Sequence, residues 1–405
     1  MGKDKDIRFE KVKKETEINF KNKEFEKISY LDTNSPPSVF IGSKLKYPQV
    51  NIGILSPFKK EENSWMYDNP RYWAENELNI SDVLNFRNNL VNSRFKSNVK
   101  SDSSNKKFVE IAKEIAISSN QVDLEIKLKN KMKQIESKDK VLIPHGVNAS
   151  LEDAKIVGNL KVEKKVDSVI NDELKTTEAI DILNKSGINE YSISKILSVG
   201  VLGLKKNKKF VPTRWSITAT DDIIGKKLIE KIKDYKIIED YELHFGEFLG
   251  NQYIVMLFPD IWEYELFEIY LPKSSWNPSD RIKASTDYEG NSGRKEYAYE
   301  TAGGYYASRL PILSYLESIK RQASILVIRI ETPSYWAPLG VWVVRESVKK
   351  AMKKNIKFSD EKEFIDNSIK IAKIKYNLDI SFLIRKSKII HKKKEQKKLN
   401  DFFKN

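Results

Sequence analysis

The sequence predicts an α+β or mixed α/β fold, with strands and helices grouped in blocks. Three observations predict it. Short β-branched pieces punctuated by Pro and Gly fill residues 35–58, apolar residues recur at helical spacing through the middle of the chain, and the period switches to two at 241–271. With 405 residues, 40% hydrophobic and 11% aromatic, the chain holds apolar material for two packed units.

Taken in order, residues 1–27 alternate Lys and Glu with little apolar content and read as a charged, solvated leader. The run SPPSVFIGSKLKYPQVNIGILSPF starting at Ser35 predicts strands at Val39–Ile41 and Val50–Ile54 joined by tight turns. Between Ser81 and Ile135, the sets Val109, Ala112, Ile115, Ala116 and Leu124, Ile126, Leu128 are read as faces of surface helices. Residues 166–187 and 192–203 follow as two amphipathic helices, the first closing at Gly187. A Lys-rich turn spans 205–209, and the next helix runs from Asp221 to about 233, its leading acids Asp221 and Asp222 suiting the helix dipole. Residues 241–271 divide at Gly250-Asn251 and Pro259-Asp260 into three strands of an antiparallel meander. A helix over 303–320, a strand over 325–330, and helices over 344–354 and 360–376 complete the body.

Charge and composition narrow the function. Lys and Arg total 72 against 57 acids, a formal charge of +15 that favours polyanions, although Lys-, Ile- and Asn-rich usage also marks AT-rich genomes. The absence of Cys excludes disulfides, thiolate nucleophiles and any zinc–cysteine site, and points to a reducing interior. His145, His244 and His391 are the only histidines, so a metal would be held mainly by oxygen, as Mg²⁺ or Mn²⁺. No stretch approaches the roughly 18 apolar residues of a membrane span, and the first residues hold no apolar signal core. The expectation is a soluble, cytoplasmic protein.

After Leu383 the chain becomes RKSKIIHKKKEQKKLNDFFKN, where nine basic residues stand against two acids, and it reads as a disordered basic tail over 385–405. At its end stand Gln396, Leu399, Phe402 and Phe403. The last three fall on one face of a single helical turn, an aliphatic and two aromatic groups forming a plug, while an extended lead-in presents the Gln amide. This pattern resembles the peptide with which replication and repair proteins dock on PCNA, the sliding clamp. The plainer alternative is a terminal helix capping the protein's own core.

VPTRWSITATDD (211–222), TAGGYYASRLPILSYLE (301–317) and PLGVWVVRE (338–346), with FIGSKLKYPQVNIGILSP (40–57) upstream, resemble the archaeal Nre family of DNA-repair proteins over most of residues 30–384. The resemblance implies an archaeal, nucleoid-associated protein acting on DNA damage together with PCNA, through an N-terminal-type domain over 28–300 and a C-terminal-type domain over 301–384. It supplies no catalytic mechanism. Some relatives carry a cysteine pair or zinc element near the start, and a chain without Cys has no counterpart.

Three places in the body carry candidate chemistry. Arg214, Trp215, Ser216 and Thr218 precede Asp221 and Asp222, offering a guanidinium for phosphate and an indole for a base; the alternative is a helix cap with Trp215 in the core. Glu263, Glu265 and Glu268 alternate with apolar residues in the meander. With Asp221, Asp222, Asp260 and Glu247 they form a possible Mg²⁺ or Mn²⁺ set, with Asp222, Glu265 and Arg214 as the catalytic trio of a nuclease, against an ordinary solvated strand face. Gly303 and Gly304 open a helix bearing Tyr305, Tyr306 and Arg309, suited to phosphate contact and base stacking, or to close helix packing. The last motif, 340–346, reads as a buried strand. A clamp-recruited DNA-repair protein with a possible nuclease activity is the leading expectation. A non-catalytic clamp-bound adaptor and a nucleotide-modifying enzyme gripping its ligand through Arg214, Ser216 and Glu265 are the alternatives.

Overall fold

A computed structural model describes residues 28–43, 46–100, 105–130, 133–134 and 145–395. The leader and the peptide at 396–405 lie outside the described residues. The chain divides into two compact units, the first running to residue 224 with 337–340 and the second holding 225–336 and 341 onward. The division falls inside one helix, Thr213–Ile232.

The first unit is built on a sheet of β1 (Tyr30–Ser35), β2 (Val39–Ile41), β3 (Gln49–Ser56), β4 (Val91–Asn98), β5 (Val122–Leu128), β6 (Lys133–Gln134) and β7 (Val147–Gly158). The order is β1-β5-β7-β4-β3-β2, with β6 also on β7, and only β4 and β7 pair in parallel. Alternation sorts the residues: Ile41, Ile52, Ile54, Val91, Leu124 and Ile126 enter one core, onto which Lys106–Ile117 lays Val109, Ala112, Ile115 and Ala116. Leu124, Ile126 and Leu128 are therefore strand residues, not helical ones. Their spacing of two is the strand period, and this section is half sheet. The two helices read over 166–203 are three, Lys164–Asn171, Thr176–Lys185 and Glu190–Ser198, because the chain turns extended at Asp172 before a new N-terminus.

In the second unit, β8 (Tyr241–Phe248) and β9 (Asn251–Phe258) form a hairpin whose turn places Leu249 at φ 49° and Gly250 at φ 76°. Both residues being left-handed matches the hairpin turn whose twist suits antiparallel strands. The third strand, β10 (Glu263–Tyr270), does not continue the meander. It pairs in parallel with β12 (Ser324–Glu331) and antiparallel with β11 (Lys283–Glu289), giving the order β11-β10-β12-β9-β8-β13, where β13 is Asn355–Phe358. All eight residues of β12 are buried, so this strand takes the centre and displaces β10 outward.

Helices cover both faces. Leu243, Ile254, Met256, Phe267 and Leu326 pack with Phe364, Ala372 and Tyr376 of Glu361–Tyr376 and with Leu383, Ile384, Ile389 and Ile390. The opposite face meets Ala302–Ile319 and Trp342–Ala351. Residues 342–346, read as a strand, belong to that second helix. The tail expectation is corrected for 385–395: Ser381–Lys386 and Lys388–Glu395 are helices, and Ile389 and Ile390 are buried because two adjacent apolar groups suffice to dock a short lysine-rich helix.

Candidate nucleic-acid interface

The carboxylates nominated for a metal do not assemble. Among the described residues no group of three or more His, Cys, Asp or Glu is placed to hold a metal. Glu247 accepts from the Gln252 amide at 3.1 Å on the surface. Glu265 is fully committed elsewhere. Buried in the second unit, it accepts from the Ser387 hydroxyl at 2.6 Å and from the Lys388 and Ile389 amides at 3.1 and 3.3 Å, capping the last described helix. Glu268 points to the opposite face of the sheet, where its carboxylate meets Arg329 at 2.6 Å and accepts from the Tyr270 hydroxyl. Glu265 and Glu268 thus stand on opposite faces of one sheet. Ser216, the expected ligand grip beside Arg214, is also buried, its hydroxyl donating to the Thr213 carbonyl at 2.9 Å.

The glycine–tyrosine motif builds the interior of the second unit. Tyr305, Tyr306 and Arg309 are all buried, so direct phosphate or base contact by these three is replaced by a structural role. Arg309 donates to both oxygens of Glu289 at 3.0 and 2.9 Å and lies over the Tyr305 and Tyr306 rings. Gly304 is required by its neighbour: a Cβ there would stand 2.2 Å from the Glu268 carboxylate.

Arg214 and Trp215 behave differently. Both face solvent on the first turn of Thr213–Ile232, with Trp215 54% exposed. The turn is fixed from below: the Ile41 amide donates to the Thr213 hydroxyl at 2.9 Å, and the Ser198 hydroxyl donates to the Val211 carbonyl at 2.7 Å. The Phe210 amide reaches the Val99 carbonyl, and the Val99 amide the Pro48 carbonyl, so three distant segments meet at one end of the sheet. Exposed Lys46, Lys96, Lys100, Lys209 and Arg214 share that end with Trp215 and with Tyr47, which is 79% exposed. Basic groups interleaved with open aromatic faces suit a polyanion that also carries bases.

Sequence reasoning found Arg214 and Trp215 but missed Tyr47, Lys96 and Lys100, whose convergence depends on the pairing of β3 with β4, Gln49 opposite Asn98, and on the backbone bond from Phe210 to Val99. It also missed a cleft of about 600 Å³ in the first unit, lined by Trp65, Arg71, Gln121, Tyr191 and Lys195. That cleft does not compete for nucleic acid: Lys195 is paired with Asp68 at 3.0 Å and Arg71 with Glu75 at 2.8 Å, and Glu62 and Glu163 add negative charge.

Comparison with known proteins agrees with the motif reading. Residues 10–277 match the family described as archaeal Nre, N-terminal, and residues 289–402 match archaeal Nre, C-terminal. The chain is 38% identical over 321 residues to the DNA repair protein NreA of Haloferax volcanii, covering 78% of this chain and 76% of that one. It is 37% identical over 320 residues to NreA of Archaeoglobus fulgidus, covering 79% of each, and 34% identical over 372 residues to NreB of the same organism, covering 91% of each. No solved structure matches the chain. Two family models in order along the chain and relatives aligned over most of their own length leave one conclusion: this chain belongs to the archaeal Nre family.

Proposed function

We propose that this chain is a DNA-repair protein that binds DNA through the basic, aromatic end of its first unit and is brought to its substrate by a clamp-docking peptide. The observation that carries the DNA contact is the solvent-facing Arg214–Trp215 pair, fixed among exposed lysines. The repair role rests on relatives named DNA repair proteins. Clamp recruitment rests on the spacing of Gln396, Leu399, Phe402 and Phe403, which begins one residue after the last described helix ends at Glu395. A non-catalytic, clamp-bound adaptor is the form of this reading favoured by Glu265, whose oxygens are taken up by the helix they cap. Metal-dependent cleavage enters as an arm of the test.

The full chain is titrated against PCNA and against labelled DNA at near-physiological salt, with Mg²⁺ or Mn²⁺ present in a parallel series. Phe402→Ala/Phe403→Ala is expected to abolish clamp binding and leave DNA binding intact, whereas Arg214→Ala/Trp215→Ala is expected to do the reverse. Clamp affinity unchanged by the first pair, or DNA affinity unchanged by the second, removes that half of the proposal. Metal-dependent turnover lost on Asp222→Ala would replace the adaptor form with a nuclease.

A further inference from the structure

Residues 290–301, between β11 and the helix Ala302–Ile319, form a loop that presents Tyr299 with 76% of its surface exposed. The loop is held from several sides. The Arg294 guanidinium donates to the carbonyls of Tyr288, Glu296 and Tyr297 at 3.0, 3.2 and 3.1 Å and pairs with Asp287 at 2.9 Å. Asp287 also accepts from the amide and hydroxyl of Thr301 at the far end of the loop. The Ala298 amide donates to the Tyr306 hydroxyl at 3.0 Å. Tyr297 lies against Tyr306 and meets Tyr299 edge-on, with ring centroids 5.2 Å apart, while Arg294 lies over Tyr305. The buried tyrosines of the glycine motif are the base on which Tyr299 is mounted.

An aromatic ring so exposed adds little to the core, but one already ordered loses little entropy when a flat partner stacks on it. We propose that Tyr299 is a stacking platform for an unpaired base of DNA, an inference that rests on the proposed DNA-binding role of the chain. Arg294 and Lys295 offset Glu296 and Glu300, so the loop carries no net charge and offers a base a ring rather than the backbone a charge. A paired base has both faces covered within the duplex, so the platform selects single-stranded, flapped or extruded nucleotides.

The full chain is tested with a single-stranded oligonucleotide carrying 2-aminopurine, whose emission is quenched by stacking, and with the matching duplex. Tyr299→Ala is expected to weaken the single-stranded complex about ten-fold and abolish the quench, Tyr299→Phe to retain both, and duplex affinity to stay unchanged in both variants. The proposal is overturned by an unchanged Tyr299→Ala, by equal losses on single-stranded DNA and duplex, or by a loss in Tyr299→Phe matching that in Tyr299→Ala. If the unsubstituted chain binds neither DNA, the DNA-binding role falls with it. If Arg214→Ala/Trp215→Ala weakens binding and Tyr299→Ala does not, only the stacking platform falls.

Discussion

A single imidazole makes the first unit sensitive to acid. His145 is buried, its Nε2 receiving the Asn92 amide at 2.8 Å, and burial, reinforced by the Arg94 charge, drives its pKa down to about 3. In the unfolded chain the same group titrates near 6.5. Between these values the unfolded state binds a proton that the folded state refuses, so stability must fall as pH drops below about 6.5 and keep falling toward 3. Glu242 in the second unit acts lower: burial would raise its carboxyl, but hydrogen bonds from His244 and Tyr315 outweigh this and hold it at about 2, so its contribution is lost only below about 4.5. Denaturant unfolding from pH 7.5 to 4.5 therefore reads His145 apart from Glu242. Progressive weakening is expected, with a shallower slope in His145→Gln; identical slopes would refute the assignment.

At the scale of elements, the helix Lys388–Glu395 shows what a sequence hides. Its lysines made it look solvated, and the two features that dock it, Ile389–Ile390 and the distant Glu265, are invisible without the sheet. Glu265 itself read as a metal ligand because alternating acids on a strand look alike whether they meet water, metal or a helix end. Strand and helix existence in the second unit was legible wherever apolar runs were long, as in β12, but neighbours were not: β10 pairs with β12 through a crossover that local periodicity cannot encode. In the first unit, Leu124, Ile126 and Leu128 misled because an apolar set that short fits either period. Removing the Glu265 carboxylate orphans two amides and a hydroxyl, so Glu265→Ala is expected to cost about 1–3 kcal/mol and to raise amide exchange over 388–395. Deleting 396–405 should leave the unfolding midpoint in place. Protection of 388–395 unchanged in Glu265→Ala would show that the carboxylate is not the anchor.

For the whole molecule, the surplus of +15 says only that a polyanion is favoured; the structure adds a place for it. The basic end of the first unit is assembled from the β2–β3 turn, the end of β4 and the run 209–215, three segments whose meeting the sequence could not reveal although the motif around Arg214 drew attention to one of them. If that end neutralises phosphates, DNA affinity must fall steeply with salt through counterion release, by a log–log slope of roughly 0.9 per phosphate engaged. Replacing Lys96, Lys209 and Arg214 together with Ala should then flatten the slope by roughly 2 to 3 while leaving the thermal midpoint nearly unchanged, since all three side chains are exposed. The same substitutions should not alter clamp binding through Phe402 and Phe403. A triple variant with the full salt slope would place the phosphate contacts elsewhere, and one that lost affinity without any change of slope would make the contact non-ionic, contrary to an electrostatic role for the lysines.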